Sequence, residues 1–415
     1  MKFLHPVCSN WRSIFLAFVV SAVGPAHAAA SLTAESAALL AQKNNPELAA
    51  ARNLIAEADA RKRTTGRLAN PELEGELAGG QDFEGRISMG ITQRFPLTAR
   101  LRLERELSAI EVEMARLEVL ERERQIAVAA RSACYELVAV RALLALARQQ
   151  TRAADEFAKS LGEAMDQGFG SKLDGQQASL AASTLRITED SFLAEEVLAL
   201  GHLNRLLGLP ADSPISIAET LDLPKSAPAA RPAGLRPDLQ LAELAIQAGA
   251  ADLSLAKAAR WDDIGVGLFV EGERFRDEPE GIEPEALLGI KFSVPLPLWQ
   301  DGSGKVAEKQ AVQNRKAQQL EALRLSMQNE ILTAHRVMTA LHRAAARIDD
   351  TLVPGAREHV AETEAGYRRA EVDIQAVFRS RERLAEIEAA ALDARKKYFL
   401  SYSDWLGTLG HPSSP

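Results

Sequence analysis

Beyond its first 28 residues the chain carries five histidines, His202, His335, His342, His359 and His411, and a single cysteine, Cys134. His335 and His342 share a helix face but stand two turns apart, about 10 Å by helical rise, too far for one metal ion. Both read as surface residues. There is no Gly-rich phosphate loop, no nucleophile elbow and no His-Glu-x-x-His. Carboxylates are plentiful, but on long charged helices such groups are solvated or paired one turn apart. Neither an enzyme nor a cofactor is expected.

The charges that do follow a pattern sit in four short stretches. Glu72, Glu74 and Glu76 alternate with Leu73, Gly75 and Leu77; Arg86, Ser88, Gly90, Thr92 and Arg94 alternate with Ile87, Met89 and Ile91. Later, Ile264, Val266, Leu268 and Val270 precede Leu288, Ile290, Phe292 and Val294, the last four alternating with Gly289, Lys291 and Ser293. Such a dyad can separate lipid from water. Strands of about 9–11 residues with one apolar face match those of an outer-membrane barrel. Membrane exposure is therefore expected at Ile87, Met89, Ile91, Val266, Leu268, Ile290 and Phe292. A wet lumen is expected at Glu72, Glu74, Glu76, Ser88, Gly90, Thr92, Lys291 and Ser293. Two hairpins lying on a soluble core would give the same dyad, but export and the inward-facing charges favour the barrel. Four strands cannot close one, so several chains must contribute.

Export is read from the N-terminus. Residues 1–28 combine Lys2 and Arg12, an apolar stretch Ile14–Val23, and Ala26-His27-Ala28, a signal-peptide pattern. Its removal leaves 47 basic against 57 acidic residues, about −10, too acidic for a general nucleic-acid binder. With Cys134 alone, no disulfide can form within the chain. No later run is long and apolar enough for a spanning helix, so a membrane crossing would need a closed barrel.

The elements that would hold these strands are long helices. Leu103, Leu107, Ile110, Met114 and Leu117 step by four and three, and the pattern resumes from Ile126 to Thr151. Ile331, Ala334, Met338, Leu341, Ala345, Ile348 and Leu352 repeat it. Thr98 to Gln167 contains no proline, which predicts a helix of roughly 105 Å. A helix over Leu32–Leu68 and another ending at Leu207 would together match its length. Gly302–Gly366 is a second long helix, with Pro354 expected to kink or break it. Ala370–Leu406 and Leu239–Arg260 are its shorter partners.

Two halves repeat one another. Asn45-Pro46-Glu47-Leu48 returns as Arg236-Pro237-Asp238-Leu239, and Phe95-Pro96-Leu97 as Val294-Pro295-Leu296 after an eight-residue slip between the strands. This organises the chain as residues 29–208, a Pro-rich linker 209–236 forming an irregular belt at mid-length, residues 237–409, and a tail 410–415. The extra residues predict a longer outer loop, Glu271–Glu285, with seven acidic residues against Arg274 and Arg276. That loop would form an acidic collar at the outer mouth.

With Phe292-Ser293-Val294-Pro295-Leu296-Pro297-Leu298-Trp299, Gly168-Phe169-Gly170-Ser171-Lys172-Leu173-Asp174 and Leu206-Leu207-Gly208 in view, the chain resembles TolC-like outer-membrane efflux proteins. It is most similar to the cobalt–zinc–cadmium type. The resemblance implies a mainly α fold with a small β part: long antiparallel helical hairpins forming an α-barrel, and four strands per chain in a trimeric twelve-stranded barrel. It implies a homotrimer in outer-membrane lipid, a periplasmic membrane-fusion adaptor, and an inner-membrane resistance-nodulation-division pump driven by protons. Heavy-metal cations are the implied cargo, with organic compounds the alternative. The turns carrying Asp166, Gly168, Gly170, Lys172 and Asp174, and Tyr367, Arg369 and Asp373, lie farthest from the strands. They are expected to close the tunnel and dock the adaptor. Ala370 stands where that family usually has glycine. A periplasmic coiled-coil spacer or adaptor is the rival reading; an ordinary porin fails for want of strands.

Overall fold

The computed structural model describes residues 31–410 except 80–84, 167–170, 232–233, 278–280, 297, 300 and 370. The expected leader, Gly168, Gly170, Ala370 and the residues after Gly410 lie outside the described residues. The elements run α1 Ala34–Asn44, α2 Pro46–Thr64, β1 Glu72–Gly79, β2 Gly85–Phe95, α3 Arg100–Asp166 and α4 Lys172–Leu207 in the first half. The second half holds α5 Pro237–Ala258, β3 Ile264–Asp277, β4 Gly281–Ser293, α6 Ser303–Arg347, a π-helical turn Ile348–Leu352, α7 Val353–Arg368 and α8 Ile374–Thr408.

Helix α3 is unbroken over 67 residues, about 100 Å of rise, as its proline-free sequence predicts. Its partner columns are made of pieces. The helix expected over Leu32–Leu68 is two helices, because Asn45 precedes a proline and is held in an extended conformation. The Asn45 side chain accepts from the Glu47 and Leu48 amides, capping α2, and donates to the Leu206 carbonyl at 2.9 Å. Gly208 closes α4 in the left-handed region, and a Cβ there would meet the Asn44 carbonyl oxygen at 2.5 Å. The Asn-Pro and Leu-Leu-Gly motifs are thus two sides of one joint, where α1 and α2 meet the end of α4.

In the second half Pro354 does not break the helix. Helical bonding continues from Ser303 to Arg368, with one π turn in which the Val353 amide reaches back five residues to Ile348. Pro354 has no N–H to give the Asp350 carbonyl, and the wider turn accommodates the missing bond. Around α3, helices α1 and α2 cover the stretch of one side nearer the sheet and α4 the rest; α5 and α8 divide the other side in the same way. The α6–α7 column then packs on α5 and α8. Four columns result, with α1, α2 and α4 along one open edge and α6–α7 along the other.

The main core lies at mid-length, where the columns' short pieces meet. Cys134, Leu137, Leu203, Leu207, Tyr398 and Trp405 are buried there, with Ile215, Ile217, Leu221 and Leu223 of the linker folded over them. Among the described residues the linker is irregular, with one parallel bridge between Leu32 and Ile217. Some of its carbonyls accept from side chains: Arg141 donates to Ile215, and Asn204 to Ala211 and Ser213. His335 and His342 are not surface residues. Their Nε2 atoms lie 3.1 and 2.7 Å from the Pro228 and Pro224 carbonyls, and their rings pack on Trp405 and Tyr398. Proline-rich backbone leaves carbonyls without partners of its own, and the two histidines supply donors two helical turns apart.

Candidate channel wall and helical tips

The four strands form one antiparallel sheet in the order β1-β2-β3-β4. Opposed residues share a face, so the register sorts every side chain. One row runs Leu73, Ile91, Leu268, Ile290; its neighbours run Leu77, Ile87, Gly272, Ala286 and Gly75, Met89, Val270, Leu288. The opposite face holds Glu72, Thr92, Gly267 and Lys291 in one row, and Glu76, Ser88, Glu271 and Leu287 in another. All seven residues expected to meet membrane share the first face, and all those expected in the lumen share the second, but Thr92 is not open to water: it is buried against Gly267.

The sheet curls around its polar face. Lys291, on one edge strand, donates to Glu74 on the other edge strand at 2.8 Å, reaching over the two strands between. Arg94 pairs with Glu72 at 3.1 Å, and Arg86 with Glu76 at 3.2 Å and Glu271 at 3.6 Å. Glycine lets side chains lie flat here: a Cβ on Gly267 would meet Thr92 Oγ1 at 2.6 Å, and one on Gly289 would meet the Phe269 ring at 2.4 Å. Where the concave face meets the helices, a cavity of about 610 Å³ is lined by Glu72, Glu74, Arg94, Arg100, Trp261 and Lys291 among others. Arg100 opens α3 and binds Asp263 at 2.6 Å and Glu104 at 2.8 Å. Burial works against its charge, but the two carboxylates outweigh it and hold its pKa above the ordinary value.

The apolar face covers nothing. Leu73 is 75% exposed, Leu77 83%, Leu288 75% and Phe292 71%, with Met89, Ile91 and Ile290 all above half. A hairpin pair resting on a soluble core would bury these residues; here they are bare, and the paired charges of the other face stay about half exposed as well. Edges β1 and β4 each lack a strand neighbour on one side among the described residues.

The expected loop Glu271–Glu285 is largely strand. Pairing continues to Asp277 opposite Gly281, so the inserted residues lengthen β3 and β4 instead of forming a free collar. These strands have 14 and 13 residues, longer than the expected 9–11. Glu271, Glu273 and Glu285 consequently stand on the polar face. With Glu72, Glu74 and Glu76 they make six carboxylates there against Arg86, Arg94 and Lys291, among side chains the structure describes.

At the far end, Asp166 ends α3 and Lys172 begins α4, with Asp174 in its first turn and Ser171 capping it. Tyr367 lies in α7, Arg369 follows it and pairs with Glu371 at 2.8 Å, and Asp373 caps α8 through the Ala376 amide. The two hairpin ends lie together. The Gln177 and Gln375 amides pair, and Phe157 meets Phe378 edge-on at 5.6 Å with Arg381 stacked on its ring at 4.5 Å. Those five residues were not among the candidates. Phe157 and Phe378 are not related by the repeat, and glutamines on charged helices carry no signal. Among the described residues, no group of three His, Cys, Asp or Glu side chains could hold a metal ion. No helix there is long and apolar enough to cross a membrane.

No family model and no curated protein sequence matches the chain. Solved structures do. CusC, described for its folding and transmembrane channel formation, is 17% identical, with a TM-score of 0.74 over 92% of each chain. The outer membrane protein VceC of Vibrio cholerae is 15% identical, with a TM-score of 0.73 over 91% of this chain and 96% of that one. The CmeC outer membrane channel of Campylobacter jejuni is 13% identical, with a TM-score of 0.72 over 91% and 85%. The chain has the fold of these proteins: long helical hairpins below a four-stranded antiparallel sheet.

Proposed function

We propose that this protein is the outer-membrane exit duct of a tripartite efflux system. The observation that carries the reading is the two-faced sheet, with its apolar face bare and its polar, ion-paired face on the inside of the curve. Exposed apolar patches of this extent mark membrane or partner surfaces, and alternation of this kind suits lipid outside and water inside. An even number of strands makes β4 of one copy antiparallel to β1 of the next, so copies can close into a ring without a free edge. Three copies would give twelve strands. On the helical part, α4 leaves Leu173, Leu180 and Ile187 exposed at seven-residue spacing, a seam for the next copy's α6–α7 edge.

The turns around Lys172 and Arg369 would then face the periplasm, closing the tunnel and meeting an adaptor and a proton-driven inner-membrane pump. Heavy-metal cations such as cobalt, zinc or cadmium are the proposed cargo, supported by the family resemblance and by the excess of carboxylates on the polar face. A soluble spacer is disfavoured by the bare apolar sheet. A deletion strain should become sensitive to these metals, and the wild-type gene should restore resistance. Restoration should fail with charge reversal at both Lys172 and Arg369, although trimers still reach the outer membrane. Sensitivity to organic compounds alone would replace the metal reading with an organic one; full export by the double variant would remove the docking assignment.

A further inference from the structure

The segment from β4 to α6 changes character within a few residues. Val294, Leu296 and Leu298 are more than half exposed and Trp299 is 91% exposed, after which Asp301 accepts from Ser303 at the start of α6. The equivalent connector of the first half presents Phe95 and Leu97, both exposed. Phe95 shares the convex face with Ile91, because its neighbour Gln93 is in register with Val266 and Phe292. These side chains continue the apolar face toward the helices. Their height matters. From Ile87 to Phe95 is eight strand steps, about 27 Å of strand, or about 21 Å along the barrel axis at a tilt near 40°. The apolar band of an outer-membrane barrel is about 25 Å tall. Measured on β2, the apolar face falls short of that by roughly the height of one side chain, and the connectors extend it on the helix side.

We propose that Phe95, Leu97, Leu296, Leu298 and Trp299 form a collar seated in the periplasmic leaflet, with the Trp299 ring at the boundary between phospholipid headgroups and acyl chains. The inference rests on the barrel reading and adds the depth at which the barrel stops. Indole has an apolar body and a polar N–H and partitions to that boundary. Asp301 and Ser303, one turn further on, set where water begins. Trp261 lines the cavity on the concave side and Trp299 does not, so in this proposal the two tryptophans report on different surfaces. Trp405 is buried in the mid-length core.

The test is quenching of tryptophan fluorescence in phosphatidylcholine vesicles whose acyl chains carry bromine near the headgroup or near the chain end. The full protein is compared with Trp299→Phe, Trp261→Phe and, as a control on the strand face, Met89→Trp. Bromine near the headgroup should quench the parent more than bromine at the chain end, and Trp299→Phe should lose most of that quenching. Trp261→Phe should keep the lipid quenching and instead lose sensitivity to iodide delivered from water. If bromine quenches the indole added by Met89→Trp but Trp299→Phe changes nothing, the collar is wrong and the barrel stands. Protection of Trp299 from both lipid and aqueous quenchers would assign it to a contact between copies and equally overturn the collar. If the indole added by Met89→Trp is not quenched either, the barrel reading itself fails.

Discussion

Lys291 and Glu74 come from the two edge strands, and their contact marks the concave side of the sheet. That side carries a surplus of carboxylates concentrated toward the hairpin turns, since Glu72 and Glu74 are paired near the helices while Glu273 and Glu285 face each other across β3 and β4. Screening confines such a field to about 8 Å at physiological salt, so its effect belongs at low ionic strength. In planar bilayers the duct should prefer cations, and replacing Glu271, Glu273 and Glu285 with glutamine should shift the reversal potential toward zero. An unmoved potential would place any selectivity at Glu72, Glu74, Glu76 or the helical tips. Elsewhere, burial raises the Cys134 thiol to about 12, so thiol reagents should leave it unmodified in the folded protein; modification at neutral pH without denaturant would contradict its placement. Arg236 is buried and clamps Asp238 at 2.6 Å and Glu330 at 2.7 Å. Burial opposes the Asp238 charge, but Arg236 wins and lowers its pKa. The stability this contributes is present at neutral pH and lost as pH falls through and below the ordinary carboxylate range. Asp238→Asn should flatten the acid limb of a pH–stability curve, and an unchanged limb would deny the pair that role.

At the scale of elements, the strand dyad and the proline-free stretch after Thr98 were legible because period and length are written directly in residue order. The joint at Asn45 was also written there, since the residue before a proline avoids helical geometry, but apolar spacing across it masked the break. The π turn was harder to see: Pro354 announces a lost hydrogen bond, and only the packing of α6–α7 on α8 shows that the helix survives it. The burial of His335 and His342 was not legible, because it depends on where a linker more than a hundred residues away folds back. The seam on α4 yields a prediction of its own. Leu180→Glu with Ile187→Glu should leave helix content unchanged and abolish heat-modifiable trimers on gels, because neither side chain is covered within one chain. Trimers that persist would move the contact between copies elsewhere. By contrast, Trp405→Ala removes a ring buried in the mid-length core and should cost about 3–5 kcal/mol of stability.

As a whole, the described residues form one sheet with two open edges standing on four helical columns with two open edges, and in the proposed ring closure along both at once would give copies a reason to associate. The repeat explains why the edges match in level: β1 follows α2 on one side, and β4 leads into α6 on the other. The sequence repeat was legible from Asn45-Pro46 and Arg236-Pro237, but the contacts that draw the two halves together at the tips were not. Phe157 and Phe378 are residues that the repeat does not relate, and Gln177 with Gln375 depends on how the two α-hairpins lie side by side. The central claim is that the bare apolar face meets lipid while the ion-paired face meets water. Single cysteines at Met89, Ile91 and Ile290, and at Glu76, Ser88 and Ser293, in a Cys134→Ala background, test it most directly in isolated outer membranes. The account predicts labelling of the first set by a lipid-phase maleimide and of the second by a membrane-impermeant one. Equal labelling of both sets by the aqueous reagent would contradict it.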